Sequence, residues 1–128
     1  MKKKIFKGFI IFLLVLAVFT VGLFSFILLG RGKTLNLDIG NVELDKISDG
    51  VYTGNYDGFR WSNSVKVTVK DHKITEIQVV KPQAFAKKEN YDSLSSELIR
   101  NQSLEVDIVS GATADSKAFL KAVENALK

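Results

Sequence analysis

The residues best suited to chemistry lie near the C-terminus, in the run Asp107-Ile108-Val109-Ser110-Gly111-Ala112-Thr113. After it, apolar residues recur at the spacing of an amphipathic helix, which predicts a helix over residues 114–127. The run is then a loop that becomes a helix N-terminus, where Ser110 or Thr113 caps the exposed amides and Gly111 permits a tight bend. Free N–H groups and the positive end of the helix dipole favour a phosphate at such a terminus. Thr113 offers a hydroxyl at the same point.

A threonine hydroxyl is a poor nucleophile without an adjacent base, and the sequence shows no Ser/His/Asp or Ser/Lys constellation. Hydrolase activity and self-catalysed modification of Thr113 are therefore not expected. A modified threonine here needs an outside enzyme. The alternative is that Ser-Gly-Ala-Thr is an ordinary helix start, because these residue types are common there, and the four residues alone favour that interpretation.

The motif Asp-x-x-Ser-Gly-Ala-Thr, followed by a helix that contains Ser-Lys, resembles the flavinylation motif of the bacterial FMN-binding domain family. This family includes the C and G subunits of sodium-pumping NADH:quinone and ferredoxin-oxidising membrane complexes, and small anchored proteins that this chain resembles in size. The resemblance extends to Asp-Gly-Val-Tyr-Thr-Gly at residues 49–54 and to a predicted hairpin over residues 65–80. It implies that a separate flavin transferase, using FAD, attaches FMN to Thr113 through a phosphoester bond. It also implies that the recognition sequence consists of Asp107, Ser110, Gly111 and Ala112.

Two features depart from the family pattern. Family members often carry hydroxyl or apolar residues after the motif threonine, whereas this chain has Ala114-Asp115-Ser116. Asp115 suits the helix dipole but repels a nearby phosphate. The Glu-Thr-Pro-Gly type segment of the large-complex subunits is absent, which argues against a sodium-pump subunit and leaves the electron donor open. The resemblance thus implies an electron carrier, and the alternative is a module that binds FMN or another ligand noncovalently, or a protein, without a redox role.

Six aromatic residues of the predicted domain are available to contact a flavin ring: Tyr52, Tyr56, Phe59, Trp61, Phe85 and Tyr91. The run Phe59-Arg60-Trp61 follows a glycine and lies between two predicted strands. We therefore predict that Phe59 and Trp61 bind the cofactor, although each aromatic residue is equally suited to a core or surface position.

The N-terminal region predicts a membrane anchor. Residues 8–30 contain no charged side chain, and at about 1.5 Å per residue they reach roughly 35 Å, enough for a hydrocarbon core of about 30 Å. Four lysines precede this stretch, so the positive-inside rule predicts a cytoplasmic N-terminus and an extracytoplasmic C-terminal part. A cleaved signal peptide is the alternative, but its apolar region is about 7–15 residues long and ends at a small-x-small site. We therefore predict a retained single-pass anchor over residues 1–30.

Beyond the anchor, residues 31–48 are predicted to be a juxtamembrane spacer or a first strand, and residues 49–128 an FMN-binding domain. The net charge of +4 reflects the four N-terminal lysines, since 14 basic and 14 acidic residues follow residue 30. No nucleic-acid partner is therefore expected. The absence of cysteine excludes disulfides and haem attached through cysteine, and a single histidine argues against a protein-only zinc site. The predicted partners are the transferase and membrane or extracellular redox proteins.

The pattern of elements predicts an α+β fold. Strands are expected over residues 51–57, 64–70 and 74–80, with a hairpin turn at Asp71-His72-Lys73 where His72 occupies a turn position rather than a ligand position. A helix is expected over residues 93–102, capped by Asp92 or Ser93. Strands followed by helices predict an antiparallel sheet with two helices packed on it, behind an N-terminal transmembrane helix.

Overall fold

The computed structural model of the chain describes residues 2–106, 108 and 113–128. Its first helix, α1, comprises Lys2–Leu28 and has no buried residue. At about 1.5 Å per residue α1 is roughly 40 Å long. Within the described residues it begins the one helical stretch that is long and apolar enough to cross a membrane. Length and composition make α1 a candidate membrane span, and an N-terminal signal sequence shares both properties.

A short helix, α2 (Arg31–Leu35), follows α1 directly. Gly30 lies between them with a φ of +80°, a left-handed conformation that glycine adopts without strain. Thr34 of α2 is fully buried, and its hydroxyl lies 2.8 Å from the hydroxyl of Tyr56. Residues 36–48 contain a 3-10 helix, Leu44–Lys46, and several apolar side chains that pack against the core. The stretch that the sequence left open as a spacer or a strand thus consists of two short helices and connecting segments.

Three strands form an antiparallel sheet in the order β1-β2-β3, and their bounds are Gly50–Tyr56, Asn63–Lys70 and Lys73–Lys81. The central strand β2 alternates between buried and more exposed residues, as the sequence predicted. Its inward side chains are at most 1% exposed: Val65, Val67 and Val69. Because a one-residue shift would turn these valines towards water, the alternation specifies the register of the sheet.

The C-terminal helix, α4, comprises Thr113–Leu127 and packs across β1 and β2. Its buried face carries apolar residues spaced three and four apart, which is the stripe that the sequence predicted. The predicted residues Phe119, Ala122, Val123 and Ala126 are all buried, and Ala118 is buried with them. The burial of this stripe against the sheet determines where the first residue of α4 lies.

The other domain helix, α3 (Lys88–Asn101), packs beside β3 and begins five residues earlier than predicted. The prediction of a start at Ser93, capped by Asp92 or Ser93 itself, is wrong. Tyr91 explains the difference, because its ring packs against Phe119 with centroids 5.4 Å apart. This contact draws the polar residues before Ser93 into the helix, although no side chain caps its N-terminus.

One buried carboxylate ties the segment after α2 to α4. Glu124 has a side chain only 3% exposed, and it accepts hydrogen bonds from Gly40 N at 3.2 Å, Lys121 Nζ at 3.2 Å and Lys128 Nζ at 2.5 Å. Burial raises the pKa of Glu124, but hydrogen bonds from Lys128 and Lys121 outweigh this effect, so the pKa is lowered overall. The carboxylate is therefore ionised and holds residue 40 against the helix.

The predicted fold class is confirmed. A long apolar N-terminal helix precedes a three-stranded antiparallel sheet on which two helices pack, which is an α+β arrangement.

Candidate functional site

A cleft of about 300 Å³ adjoins the first turn of α4. It is lined by Arg31, Leu35, Arg60, Trp61, Thr113, Ala114 and Asp115. Thr113 is the first residue of α4 and is exposed. The cleft brings together Thr113 and Trp61, which the sequence predicted separately from segments far apart in the chain. Its volume is at the low end of the range of roughly 300–1,000 Å³ that is usual for small-molecule sites.

Glycine at residue 54 sets the distance between β1 and α4. A methyl group there would overlap the carbonyl oxygen of Ala122 and would lie 2.7 Å from the Cβ of Ala126. The strand therefore approaches the helix backbone more closely than any other residue type allows. Asn63 adds a polar tie, because its side-chain nitrogen donates to the carbonyls of Ala118 and Trp61, both at 3.1 Å. These contacts fix α4 relative to the segment that carries Trp61.

That segment is a 3-10 helix, Phe59–Trp61, between β1 and β2. The amide of Trp61 donates to the carbonyl of Gly58 at 3.0 Å, and Ser62 Oγ accepts a hydrogen bond from Gly58 N at 2.9 Å. Trp61 points into the core and is 1% exposed, whereas Phe59 has a φ of +55° and is 59% exposed. Of the two predicted aromatic contacts, Trp61 lines the cleft and Phe59 is not among its lining residues.

Arg60 supplies the cleft with a held positive charge. Its guanidinium carbon lies 4.0 Å from the centroid of the Trp61 ring. Its Nη1 lies 4.0 Å from Oδ1 of Asp115 and donates to the carbonyl of Ala84 at 3.4 Å. Both side chains of the ion pair are about one-fifth exposed. Arg60 thus offsets the negative charge of Asp115. Asp115 is the residue that departs from the family pattern and that by itself repels a phosphate.

Arg31 and Arg60 are the cationic lining residues that the sequence reasoning missed. Arg60 lies inside the run that was singled out for its aromatic rings, so its position was noticed but its charge was not used. Arg31 lies in the segment that was predicted only as a juxtamembrane spacer or a first strand. Two guanidinium groups beside a helix N-terminus form a setting suited to a phosphate, because arginine donates several hydrogen bonds in a planar fork.

Several polar atoms near the start of α4 are buried without a hydrogen-bond partner among the described residues. They are Trp61 Nε1, Asn63 Oδ1, Gln83 Oε1 and Ser116 Oγ. Their residues surround the first turns of α4, since Gln83 Nε2 donates to the carbonyl of Asp115 at 2.9 Å and Asn63 contacts Ala118. Buried polar groups are normally paired. Only Trp61 among these residues lines the cleft, so its unpaired indole N–H is the one of these groups that is consistent with a polar ligand there.

Tyr91 supports the same region from the side of α3. Its hydroxyl oxygen accepts a hydrogen bond from the amide of Gln83 at 2.8 Å. Burial raises the pKa of Tyr91, the hydrogen bond from Gln83 lowers it, and the charge of Asp115 raises it, with a raised pKa as the net result. Tyr91 therefore remains a neutral phenol, and its role here is to hold the loop that carries Gln83.

The remaining predicted site residues are Asp107, Ser110, Gly111 and Ala112, and they lie outside the residues that the structure describes. His72 lies at the β2–β3 turn with a φ of +62°, and its Nδ1 is 3.1 Å from the carbonyl of Ile47. Across residues 2–106, 108 and 113–128, no three acidic, histidine or cysteine side chains lie close enough together to hold a metal ion.

A larger cleft, of about 640 Å³, lies between β3 and α3. Its lining is largely apolar, with one cation, Lys88, and one carboxylate, Asp92, and it does not include Thr113. Size alone would favour this cleft. The smaller one nevertheless holds the predicted attachment residue and two cationic side chains, so its chemistry fits a phosphorylated ligand better.

Comparison with known proteins extends these observations. The family model of the FMN-binding domain matches residues 58–128, more than half of the chain. The match begins just before Phe59–Trp61 and includes all of α4. An uncharacterized protein of Treponema pallidum (strain Nichols) is 32% identical over 88 residues, which is 65% of this chain and 24% of that protein. The chain therefore spans about a quarter of the length of that relative.

Proposed function

This chain belongs to the FMN-binding domain family, and from that premise we propose that it carries FMN covalently on Thr113 and transfers electrons at the outer face of the cytoplasmic membrane. The observation that carries the proposal is the juxtaposition of Thr113, Arg31 and Arg60 in one cleft. An exposed hydroxyl, two guanidinium groups and a helix N-terminus together match the needs of a phosphodiester, which keeps one negative charge.

The residues present fit the phosphate end of FMN. Arg31 and Arg60 would hold the phosphate, and the first amides of α4 add the positive end of the helix dipole. The pairing of Asp115 with Arg60 reduces the repulsion that this carboxylate would exert. Trp61 lies at the base of the cleft, packed under the Arg60 guanidinium. Its indole N–H has no acceptor among the described residues. Because the cleft is small, most of the isoalloxazine is expected to lie outside it.

The attachment reaction needs a separate enzyme. Among the described residues that line the cleft, Asp115 is the only carboxylate and none is a histidine, and Asp115 is engaged with Arg60. A flavin transferase must therefore supply the base. The Thr113 oxygen attacks the FMN-side phosphorus of FAD, the pyrophosphate P–O bond breaks, and AMP leaves. The hydroxyl proton passes to the transferase, and nothing is oxidised or reduced.

The bound FMN supplies one- and two-electron redox chemistry, while the protein supplies its position and electrostatic environment. A covalent tether suits the outside of a cell, because a dissociated cofactor would be diluted beyond recovery there. We propose that α1 is retained as an anchor with its four lysines in the cytoplasm, in accordance with the positive-inside rule. This topology places the domain and Thr113 on the extracytoplasmic side.

The mass of the intact protein tests the proposal. The full chain is expressed with a flavin transferase, purified from membranes and weighed as wild type, as Thr113→Val and as Thr53→Val. The control residue, Thr53, is an exposed threonine on β1. We expect an increment equal to FMN less one water in the wild type and in Thr53→Val, and no increment in Thr113→Val. A protein mass lower by the mass of residues 1–30 would refute the retained anchor. A flavin increment that persists in Thr113→Val would refute the attachment site.

A noncovalent ligand-binding module is the second candidate, and the cleft of about 640 Å³ between β3 and α3 favours it. In that case the ligand would bind against Tyr91 and Pro82 rather than at Thr113. Electrophoresis under denaturing conditions distinguishes the two candidates, because only a covalent flavin remains fluorescent in the protein band under ultraviolet light. A fluorescent wild-type band would exclude the noncovalent candidate as the main mode of flavin binding.

A further inference from the structure

The wall of the Thr113 cleft is built partly by the segment that directly follows α1. Arg31 and Leu35 of α2 line the cleft. Lys117 Nζ donates a hydrogen bond to the carbonyl of Leu35 at 2.6 Å, and the buried hydroxyl of Thr34 is paired with Tyr56 at 2.8 Å. The segment is therefore fixed to the domain at two points, which fixes the end of α1 relative to the domain.

The last turn of α1 also contacts the opposite wall of the cleft. Arg60 Nε donates to the carbonyl of Ile27 at 3.3 Å. This carbonyl is one of the last four of α1, which have no partner within the helix, so the guanidinium satisfies an otherwise unpaired acceptor and complements the helix dipole. The ring of Phe59 lies against Gly30, because a methyl group at Gly30 would be 2.7 Å from Phe59 Cδ2.

These contacts specify the depth of the cleft relative to the apolar stretch. The uncharged stretch ends at Gly30, and Ile27 lies three residues before that end, or about 4–5 Å along the helix axis. A side chain that touches the Ile27 carbonyl therefore lies at the level where the hydrocarbon core meets the headgroups. Phe59 lies at the same level, and more than half of its surface is exposed on the domain.

We infer that the Thr113 cleft opens at the surface of the bilayer that α1 spans, with the Phe59 ring inserted among the lipid headgroups beside the last turn of α1. The partner of this surface is the lipid bilayer itself. Lys33 follows the apolar stretch closely, is exposed and donates to the carbonyl of Asp57 at 3.4 Å. It lies at the level where cationic side chains meet lipid headgroups. The inference rests on the retained anchor of the proposed function. It means that a cofactor on Thr113 stays at the lipid–water boundary, within reach of redox partners confined to the membrane.

The turn between β2 and β3 offers a comparison position remote along the strand from the Phe59–Trp61 segment. β2 leaves the Phe59–Trp61 segment at Asn63 and ends at Lys70, next to the turn at Asp71 and His72. Seven steps of about 3.3 Å place this turn roughly 23 Å from the start of the strand. Lys73 is exposed beside the turn and serves as the control position.

Fluorescent labels at the two ends test the inference. The chain has no native cysteine, so Phe59→Cys and Lys73→Cys each accept one environment-sensitive fluorophore. Both full-length variants are reconstituted in phosphatidylcholine–phosphatidylglycerol vesicles and titrated with aqueous iodide or with brominated lipids. We expect the label at residue 59 to emit at shorter wavelength and to be quenched several-fold more by brominated lipid than the label at residue 73. Iodide should show the reverse order.

Equal iodide quenching at both positions would overturn the inference. Mass spectrometry of the same samples keeps this result separate from the proposed function. A retained anchor and an attached flavin, together with a water-exposed label at residue 59, would refute the membrane-surface position alone. A lipid-quenched label at residue 59 in a chain that acquires no flavin would support the position and refute the attachment.

Discussion

Replacing Gly54 with alanine tests whether the crossing of β1 and α4 sets the position of Thr113. The added methyl would overlap the Ala122 carbonyl oxygen and would lie 2.7 Å from Ala126 Cβ, whereas ordinary contacts begin near 3.4 Å. α4 must therefore move by about 0.7 Å to relieve the second contact, and further to relieve the first. Neither obstacle is a flexible side-chain end that can rotate away. The strain has to be relieved by moving the helix or the strand.

Overpacking of this kind costs about 1–3 kcal/mol. A loss of about 2 kcal/mol lowers the Tm of a domain of this size by roughly 8–16 °C. Because Thr113 begins the helix that must move, we also expect Gly54→Ala to be flavinylated more slowly than the wild type at a temperature where both are folded. Loss of the tryptophan signal on heating measures the first effect, since Trp61 is the only tryptophan. The fluorescent band on a denaturing gel, followed over time, measures the second.

Gly32→Ala is the matched control, because a Cβ at Gly32 meets no atom within 4 Å. Alanine is also the better helix former, so this variant should be as stable as the wild type or slightly more stable. If Gly54→Ala unfolds at the temperature of the wild type and acquires flavin at the same rate, then the close approach of β1 to α4 does not position Thr113 and the reasoning is wrong.

Two other substitutions probe charges. Glu124→Gln should lower the free energy of unfolding by about 1–3 kcal/mol at pH 7, because it removes a buried charge that is paired with two lysines. The control is Glu43→Gln, which removes one partner of an exposed pair and should have little effect. Since the folded pKa of Glu124 is lowered, its stabilisation is complete above about pH 5. That stabilisation is lost as pH falls through the folded pKa, so the wild type and Glu124→Gln should converge in acid denaturation curves, and a constant difference would contradict this. Arg60→Met keeps the packing on Trp61 but should slow flavinylation at least about tenfold, since a hydrogen bond to a charged group contributes about 1.5–3 kcal/mol. The control is Arg100→Met on the exposed side of α3, which should be flavinylated at the rate of the wild type.

The sequence predicted those parts of the fold that depend on local periodicity. The alternation of Val65, Val67 and Val69 specified β2, and the apolar stripe of α4 specified its buried face. The predicted start of α3 at Ser93 was wrong because Asp92 and Ser93 resemble a helix cap, whereas a tertiary contact of Tyr91 extends the helix towards its N-terminus. Tyr91 packs on Phe119, a residue 28 positions later, and no local pattern contains that contact.

The site was predictable only in part, for the same physical reason. Thr113 and Trp61 stood out in the sequence because a motif and an aromatic run mark them individually, and the structure places both at one cleft. Arg31 was missed because its role depends on the docking of α2 against α4, through the hydrogen bond from Lys117 to the Leu35 carbonyl. Burial of Arg60 against Trp61 likewise arises from the tertiary fold, since charged residues of this kind usually lie on a solvated surface.

The short helix α2 shows why the anchor and the domain cannot be treated as independent parts. Five residues are too few to form a stable helix alone, so α2 exists because Thr34 pairs with Tyr56 and Lys117 binds the Leu35 carbonyl. The same docking brings Arg31 into the cleft and sets the end of α1 against Arg60. A fragment that lacks residues 1–35 would lose one wall of the cleft, one of its two cations and the contact that sets its depth. The cleft at Thr113, with its two arginines, is therefore formed where the apolar helix meets the α+β domain.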